Sequence, residues 1–216
     1  MDPNDPALRP SAEESALLRR AVDGDADAFA RLVGEHEDRL RRQVRVRLDA
    51  RIQRRVDVSD VLQDVKIEAH GRLREYAAKP DVPFFVWLRF LTKQRVAQVH
   101  RFHLGVQARD ARREAGPAAG NADATDTSAS MASVLAGDVT SPSDGAARAE
   151  TERRIRAALD SMDAIDREIL CLRHFEQLGS AEAAHELGIE PAAASKRYIR
   201  ALRRLKDVLG DAATFE

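Results

Sequence analysis

A single stretch constrains this chain more than any other. Residues 114–147 read EAGPAAGNADATDTSASMASVLAGDVTSPSDGAA, contain neither Lys nor Arg, and consist mostly of small or polar side chains. Such a stretch buries too little apolar surface to offset its ordering entropy, which predicts a flexible linker over 114–149. Within it, Met131, Val134 and Leu135 could anchor one short helix. The chain is thereby divided into two segments of at most about a hundred residues, each with a modest core.

Both flanking segments carry helical periodicity. Val58, Val61, Leu62 and Val65 share one face, as do Phe84, Trp87, Leu88, Leu91 and Val99. Leu40 to Ile52 reads as one basic amphipathic helix, and Lys79-Pro80-Asp81-Val82-Pro83 is a break. Val/Ile/Thr alternation of the kind strands show is missing. The expected fold is all-α: two small helical domains over 15–113 and 150–209, joined by the linker, with short tails over 1–14 and 210–216.

The net charge of −1 hides a strong asymmetry. Residues 39–113 hold 19 basic against eight acidic side chains, a net of +11, whereas residues 1–38 carry −6 and residues 114–163 carry −5. A second basic cluster, Lys196, Arg197, Arg200, Arg203, Arg204 and Lys206, lies between Pro191 and Leu209. Two basic segments separated by acidic ones suit two surfaces that meet a polyanion, although arginine-rich helices that merely face water explain the charge equally well.

The chemistry of an enzyme is not in evidence. No nucleophile–base motif and no glycine-rich phosphate loop occurs, so the chain is read as a non-enzyme without cofactor. His100 with His103, and Cys171 with His174, are each three apart, but no further ligands stand at a usable spacing for zinc, and no metal is expected. The lone Cys171 rules out an intrachain disulfide and suits a reducing, cytoplasmic setting. No run approaches the roughly 18 apolar residues of a membrane span, and the acidic, Pro-rich start does not read as a signal or transit peptide.

Residues 180–209 hold the most specific local pattern. A break at Gly179-Ser180, with Ser180 as the expected N-cap, precedes the short helical stretch AEAAHEL. Gly188 can take the left-handed conformation of a sharp turn, and Pro191 suits the first position of a new helix. That helix turns Ala194, Tyr198, Leu202 and Leu205 inward. Its other face offers Ser195, Lys196, Arg197 and Arg200, with Ala192 and Ala193 small enough for close approach. This describes a helix-turn-helix, whose second helix enters the major groove.

The segment LDSMDAIDREILCLRHFEQLGSAEAAHELGIEPAAASKRYIRALRRLKDVL resembles region 4 of extracytoplasmic-function sigma factors of bacterial RNA polymerase. RHFEQL, AAASKRYIRAL and the upstream TSPS resemble a planctomycete-type subgroup. LLRRAVDGDADAFARLV, DVSDVLQDVKIEAHGRL and PFFVWLRFLTKQRVAQVHR resemble successive helices of region 2. The resemblance implies core RNA polymerase and promoter DNA as partners, with an anti-sigma factor or other regulator as a further one, and no membrane. It implies core contact through Asp57, Asp60, Gln63 and Asp64. It implies capture of a melted −10 strand near Tyr76, Lys93, Gln94, Gln98 and Arg101, with Gln94 where the family often has Asn. A −35 duplex would be read by Ala192, Ala193, Ser195, Lys196, Arg197 and Arg200. The linker would thread the polymerase's RNA path, its Asp123, Asp126, Asp138 and Asp144 mimicking an RNA backbone or serving as a plain tether. The alternatives are a dimeric helix-turn-helix regulator that acts without polymerase, and a protein-binding adaptor.

Overall fold

The computed structural model describes residues 11–80, 82–114, 127–139 and 145–209. Those residues are helical with short connections, form no strand, and fall into two compact units divided after position 125. Each unit is built around its own core.

The first unit holds α1 (Ala12–Val22), α2 (Ala26–Gly34), α3 (Glu37–Arg47), α4 (Ala50–Gln53), α5 (Val58–Ala78) and α6 (Phe84–Glu114). Side-chain oxygens start three of them. Ser11 accepts from the Glu14 N–H at 3.0 Å, Asp25 from Ala28 at 2.9 Å, and Asp57 from Ser59 at 2.7 Å, each satisfying a donor with no partner inside its helix. Gly24, at φ +99°, makes the α1–α2 turn that a side chain would strain. The core is Leu17, Leu32, Leu40, Val44, Val61, Leu62, Val65, Leu73, Phe84, Leu88 and Leu91, with Ala28 and Ala69 fully buried. At about 1.5–3 kcal/mol per large apolar side chain, this burial outweighs surface ion pairs worth about 0–1 kcal/mol each.

The helix expected over Leu40 to Ile52 is interrupted. Leu48 is extended (φ −83°, ψ 127°), and a separate short helix follows. Gln53 repairs the break by donating from Nε2 to the carbonyls of Arg45 and Leu48, both at 2.7 Å. At the same corner the buried His100 Nε2 accepts the Asp49 N–H at 3.2 Å. Burial pushes the His100 pKa below its ordinary 6.5, against a smaller opposing pull from Asp49. The folded state therefore takes up this proton less readily than the unfolded chain, and the stability is present above about pH 6.5 and lost as the pH falls through the folded value. Thermal melts followed by Trp87 fluorescence should show the first unit's midpoint dropping as the pH falls below 6.5, a drop that His100→Gln flattens.

The second unit holds α7 (Thr127–Val139), α8 (Gly145–Asp160), α9 (Ala164–Leu170), α10 (Ser180–Leu187) and α11 (Pro191–Leu209). α9 runs on into one widened turn, Cys171–Phe175, closed by the Glu176 N–H on the Cys171 carbonyl at 3.0 Å. Ile155, Leu159, Ile169, Leu172, Phe175, Ala183, Ala194, Ala201 and Leu205 are buried. Ile165, four positions before the buried Ile169, is 40% exposed.

Over Thr127–Val139 the helix that Met131 and Leu135 could anchor stands in place of a flexible tether, while Val134 is 39% exposed. These residues form a helix packed on α8, which itself begins at Gly145 rather than 150. Ser128, Met131, Ala132, Leu135 and Ala136 are buried at helical spacing, and the small side chains that suggested a tether permit close packing instead. The expected tail over 1–14 also yields its last residues to Ser11 and α1. Residues 115–126 and 140–144 of the expected linker, and positions 1–10 and 210–216 of the tails, lie outside the described residues.

Candidate nucleic-acid and protein interfaces

In the second unit, α10 and α11 meet at a tight turn. Gly188 closes α10 in the left-handed region (φ 63°, ψ 33°), and the Ile189 N–H returns to the Ala184 carbonyl at 3.0 Å. Pro191 opens α11 as expected. The cap of α10 is Gly179 rather than Ser180. The Gly179 N–H donates to Glu182 Oε2 at 2.6 Å, while Ser180 Oγ lies 3.1 Å from Ser195 Oγ.

The six duplex-reading candidates do not form one face. Ala192 and Lys196 are exposed and Ala193 is half-buried. Ser195 lies at the α10–α11 contact through Ser180, and its Oγ also donates to the Pro191 carbonyl of its own helix at 3.1 Å. Arg197 and Arg200 turn toward α9. Arg197 Nη1 lies 2.6 Å from Asp166 Oδ1, and Arg200 Nε lies 3.2 Å from Asp166 Oδ2. The Asp166 side chain is 2% exposed, so this is a buried carboxylate held by two cations, and it locks α11 onto the first turn of α9. The outward stripe of α11 is Ala192, Lys196, Ile199 and Arg203, all exposed and spaced to share one side of the helix.

In the first unit, three of the four acidic-helix candidates divide between two grooves, and Asp57 lines neither. Asp57 is exposed and caps α5; its hydrogen bond from the Ser59 backbone, helped by the Ser59 side chain and Arg41, lowers its pKa. Asp60 and Asp64 line a groove of about 530 Å³ between α5 and α6, together with Val56, Arg95, Gln98 and Phe102. Asp64 is ion-paired with Arg95, whereas Asp60 stands exposed. Gln63 faces the other side, on a groove of about 370 Å³ with Phe29, Val33, Lys66, Ile67 and His70. Ile67 there is 63% exposed.

Of the strand-capture candidates, Lys93, Gln94, Gln98 and Arg101 are exposed on α6. Tyr76 is not with them. It is buried, stacked on Trp87 with ring centres 4.6 Å apart, and its hydroxyl donates to the Val82 carbonyl at 2.8 Å. Burial pushes its pKa up, so the hydroxyl keeps its proton and closes the α5–α6 connection. Tyr76 is a core residue, and the spacing Val65, Ala69, Leu73, Tyr76 could have shown it.

The charge of the first unit is also partly spent internally. Arg41 and Lys66 both pair with Glu37, at 2.8 and 2.7 Å, and this lowers the Glu37 pKa. The Arg39 guanidinium lies 3.4 Å over the Phe85 ring, and Arg89 is buried. Among the described residues no group of three or more His, Cys, Asp or Glu is placed to hold a metal ion, and Cys171 is buried, its Sγ 3.6 Å from Glu176 Oε1. No described helix is long and apolar enough to cross a membrane.

Sequence reasoning missed the Asp166 clamp and the exposed Phe90, Phe102, Ile67 and Ile199. The clamp joins residues 31 and 34 positions apart, so no local spacing signals it. The exposed apolar side chains were legible as positions off the buried stripe of their own helix.

Known proteins resemble the chain over both units. The sigma-70 region 4 family model matches residues 152–205, the span from α8 through most of α11. The RNA polymerase sigma factor NccH of Alcaligenes xylosoxydans xylosoxydans is 31% identical over 205 residues, covering 93% of this chain and 96% of that protein. The solved structure of CnrH, in complex with the cytosolic domain of CnrY, is similar at a TM-score of 0.52 and 25% identity, covering 94% of this chain and 99% of that one. The glycine turn and second helix of the region 4 match, together with a relative 31% identical over 93% of this chain, make the chain a member of the RNA polymerase sigma factor family, in its extracytoplasmic-function group.

Proposed function

We propose that the chain binds core RNA polymerase and directs promoter-specific initiation. The second unit reads a −35-like duplex through α11, and the first captures a melted −10-like strand along α6. The observation that carries this reading is the end-to-end match to a sigma factor, 93% of this chain on 96% of the relative, which accounts for both units at once. A regulator acting without polymerase would leave the first unit and its acidic α5 unexplained.

Within this reading, Asp60 and Gln63 on the exposed side of α5 meet basic groups of the core, and Asp64 does so in exchange with Arg95. On α11, Lys196 and Arg203 hold phosphates, and Ala192 lets the backbone approach the groove. Arg200, 58% exposed, keeps an edge toward DNA while Arg197 chiefly sets the angle of the helix. A second protein partner, as the cytosolic domain of CnrY is for CnrH, is a further part of this reading. TSPS, RHFEQL and AAASKRYIRAL support a planctomycete-type subgroup.

The test is size-exclusion chromatography of the full chain mixed with purified core polymerase. Co-elution at one-to-one stoichiometry is expected. A chain that elutes apart from core and binds palindromic duplex as a dimer would replace this reading with the regulator.

A further inference from the structure

With Tyr76 in the core, the strand-capture face lacks the aromatic that single-stranded DNA sites use as a stacking platform. Another aromatic stands on that face. Phe90 is 49% exposed, whereas Phe84, Phe85 and Trp87 beside it in sequence are buried. On α6, positions 90, 94, 97 and 101 fall within one narrow stripe, and Phe90 thus heads a row that continues through Gln94 to Arg101 over about 16 Å. Lys93 flanks the row. From Phe84 to Arg109 the chain contains no Asp or Glu, so nothing on the helix itself repels a polyanion.

Phe102, though 69% exposed, does not serve the same end. It lies about 120° further round the helix. There it shares the α5–α6 groove with Asp60 and Asp64, whose charges oppose a phosphate backbone.

Resting on the proposed capture of a melted strand by the first unit, we infer that Phe90 is the stacking residue of that site. Its ring takes the face of one unpaired base, while Gln94 and Arg101 meet the edge and the backbone of the following nucleotides. Stacking of this kind is tolerant of base identity, so the residue adds affinity for unpaired DNA without choosing its sequence.

The experiment uses holoenzyme reconstituted from the full chain and core polymerase, with core alone subtracted. Fluorescence anisotropy measures binding of two labelled 20-nucleotide single strands, one of random sequence and one made of abasic sites. Wild type should prefer the base-bearing strand. Phe90→Ala should weaken that strand by about 5- to 150-fold, the equivalent of one base–aromatic stack, and leave abasic binding unchanged. Phe90→Trp should retain the preference. The salt slope should stay the same in Phe90→Ala but flatten by about 0.7 in Arg101→Ala. The thermal midpoint of Phe90→Ala should match wild type, since the side chain is half exposed. Equal binding by Phe90→Ala and wild type overturns the stacking role and leaves strand capture standing. Loss of co-elution with core in Phe90→Ala assigns the residue to a protein interface and also overturns it. No strand binding by wild-type holoenzyme above core alone overturns both.

Discussion

Arg197→Ala combined with Arg200→Ala is expected to destabilise the second unit by about 3–5 kcal/mol, a large share of the roughly 5–15 kcal/mol that holds a domain of this size together. The reason is the burial of Asp166 at 2% exposure. Without its two cations the carboxylate is left charged, out of water and unpaired. Asp166→Asn should cost less, because the guanidiniums it releases are 31% and 58% exposed and can hydrate. Replacing all three, with leucine at 166, should recover much of the loss, since a buried ion group often exchanges for apolar packing without penalty. The two units can be followed separately. Trp87 is the single tryptophan, so its fluorescence reports the first unit while far-UV circular dichroism reports both. A double variant with an unchanged second transition would show that the Asp166 clamp carries no weight. The same series separates structure from recognition. If the arginines also hold phosphates, the restabilised triple variant binds duplex more weakly than wild type and with a flatter salt slope.

Asp60→Lys is expected to weaken binding to core polymerase about tenfold or more, while leaving the thermal midpoint and duplex affinity at wild-type values. Asp60 is exposed and does not cap α5, so reversing it changes the surface and little else. Asp64→Lys is a different experiment. It sets a second cation against Arg95 across the α5–α6 groove and should lower both stability and core affinity. The double reversal should abolish co-elution with core, and duplex binding by α11 should survive it. Wild-type core affinity in Asp60→Lys, measured by titration of labelled chain, would remove the acidic face of α5 from the interface.

Much of the fold was legible because its signals are local. The inward stripes of α5 and α6, the Lys79–Pro83 break, the Gly188 turn and Pro191 each follow from a few neighbouring residues, and each stands where the sequence puts it. What was not legible depends on partners distant in sequence or on packing of small side chains. Arg197 and Arg200 look like a free basic face until Asp166, more than thirty residues earlier, is brought beneath them. The Thr127–Val139 helix was legible only as a short helix that Met131, Val134 and Leu135 could anchor; its length and packing were hidden by a composition of Ala, Ser and Gly, which reads as a tether unless a neighbouring helix is present. Tyr76 and Phe90 illustrate the opposite case. Helical phase alone could have placed both, Tyr76 on the buried stripe and Phe90 off it, but the resemblance set Tyr76 on the strand-capture surface and Phe90 was missed. For the interfaces, Lys93, Gln94, Gln98, Arg101, Ala192 and Lys196 stand exposed on the helices the sequence marked, whereas Tyr76 is buried and Arg197 is packed against Asp166.

The decisive measurement is transcription in vitro, with purified core polymerase, the full chain and a library of fragments from its own genome, followed by mapping of transcript starts. The expected result is a set of discrete starts that appear only when the chain is added and share sequence upstream at two separated positions. Starts no different from those of core polymerase alone, with a chain that is folded and soluble in the same reaction, would contradict it.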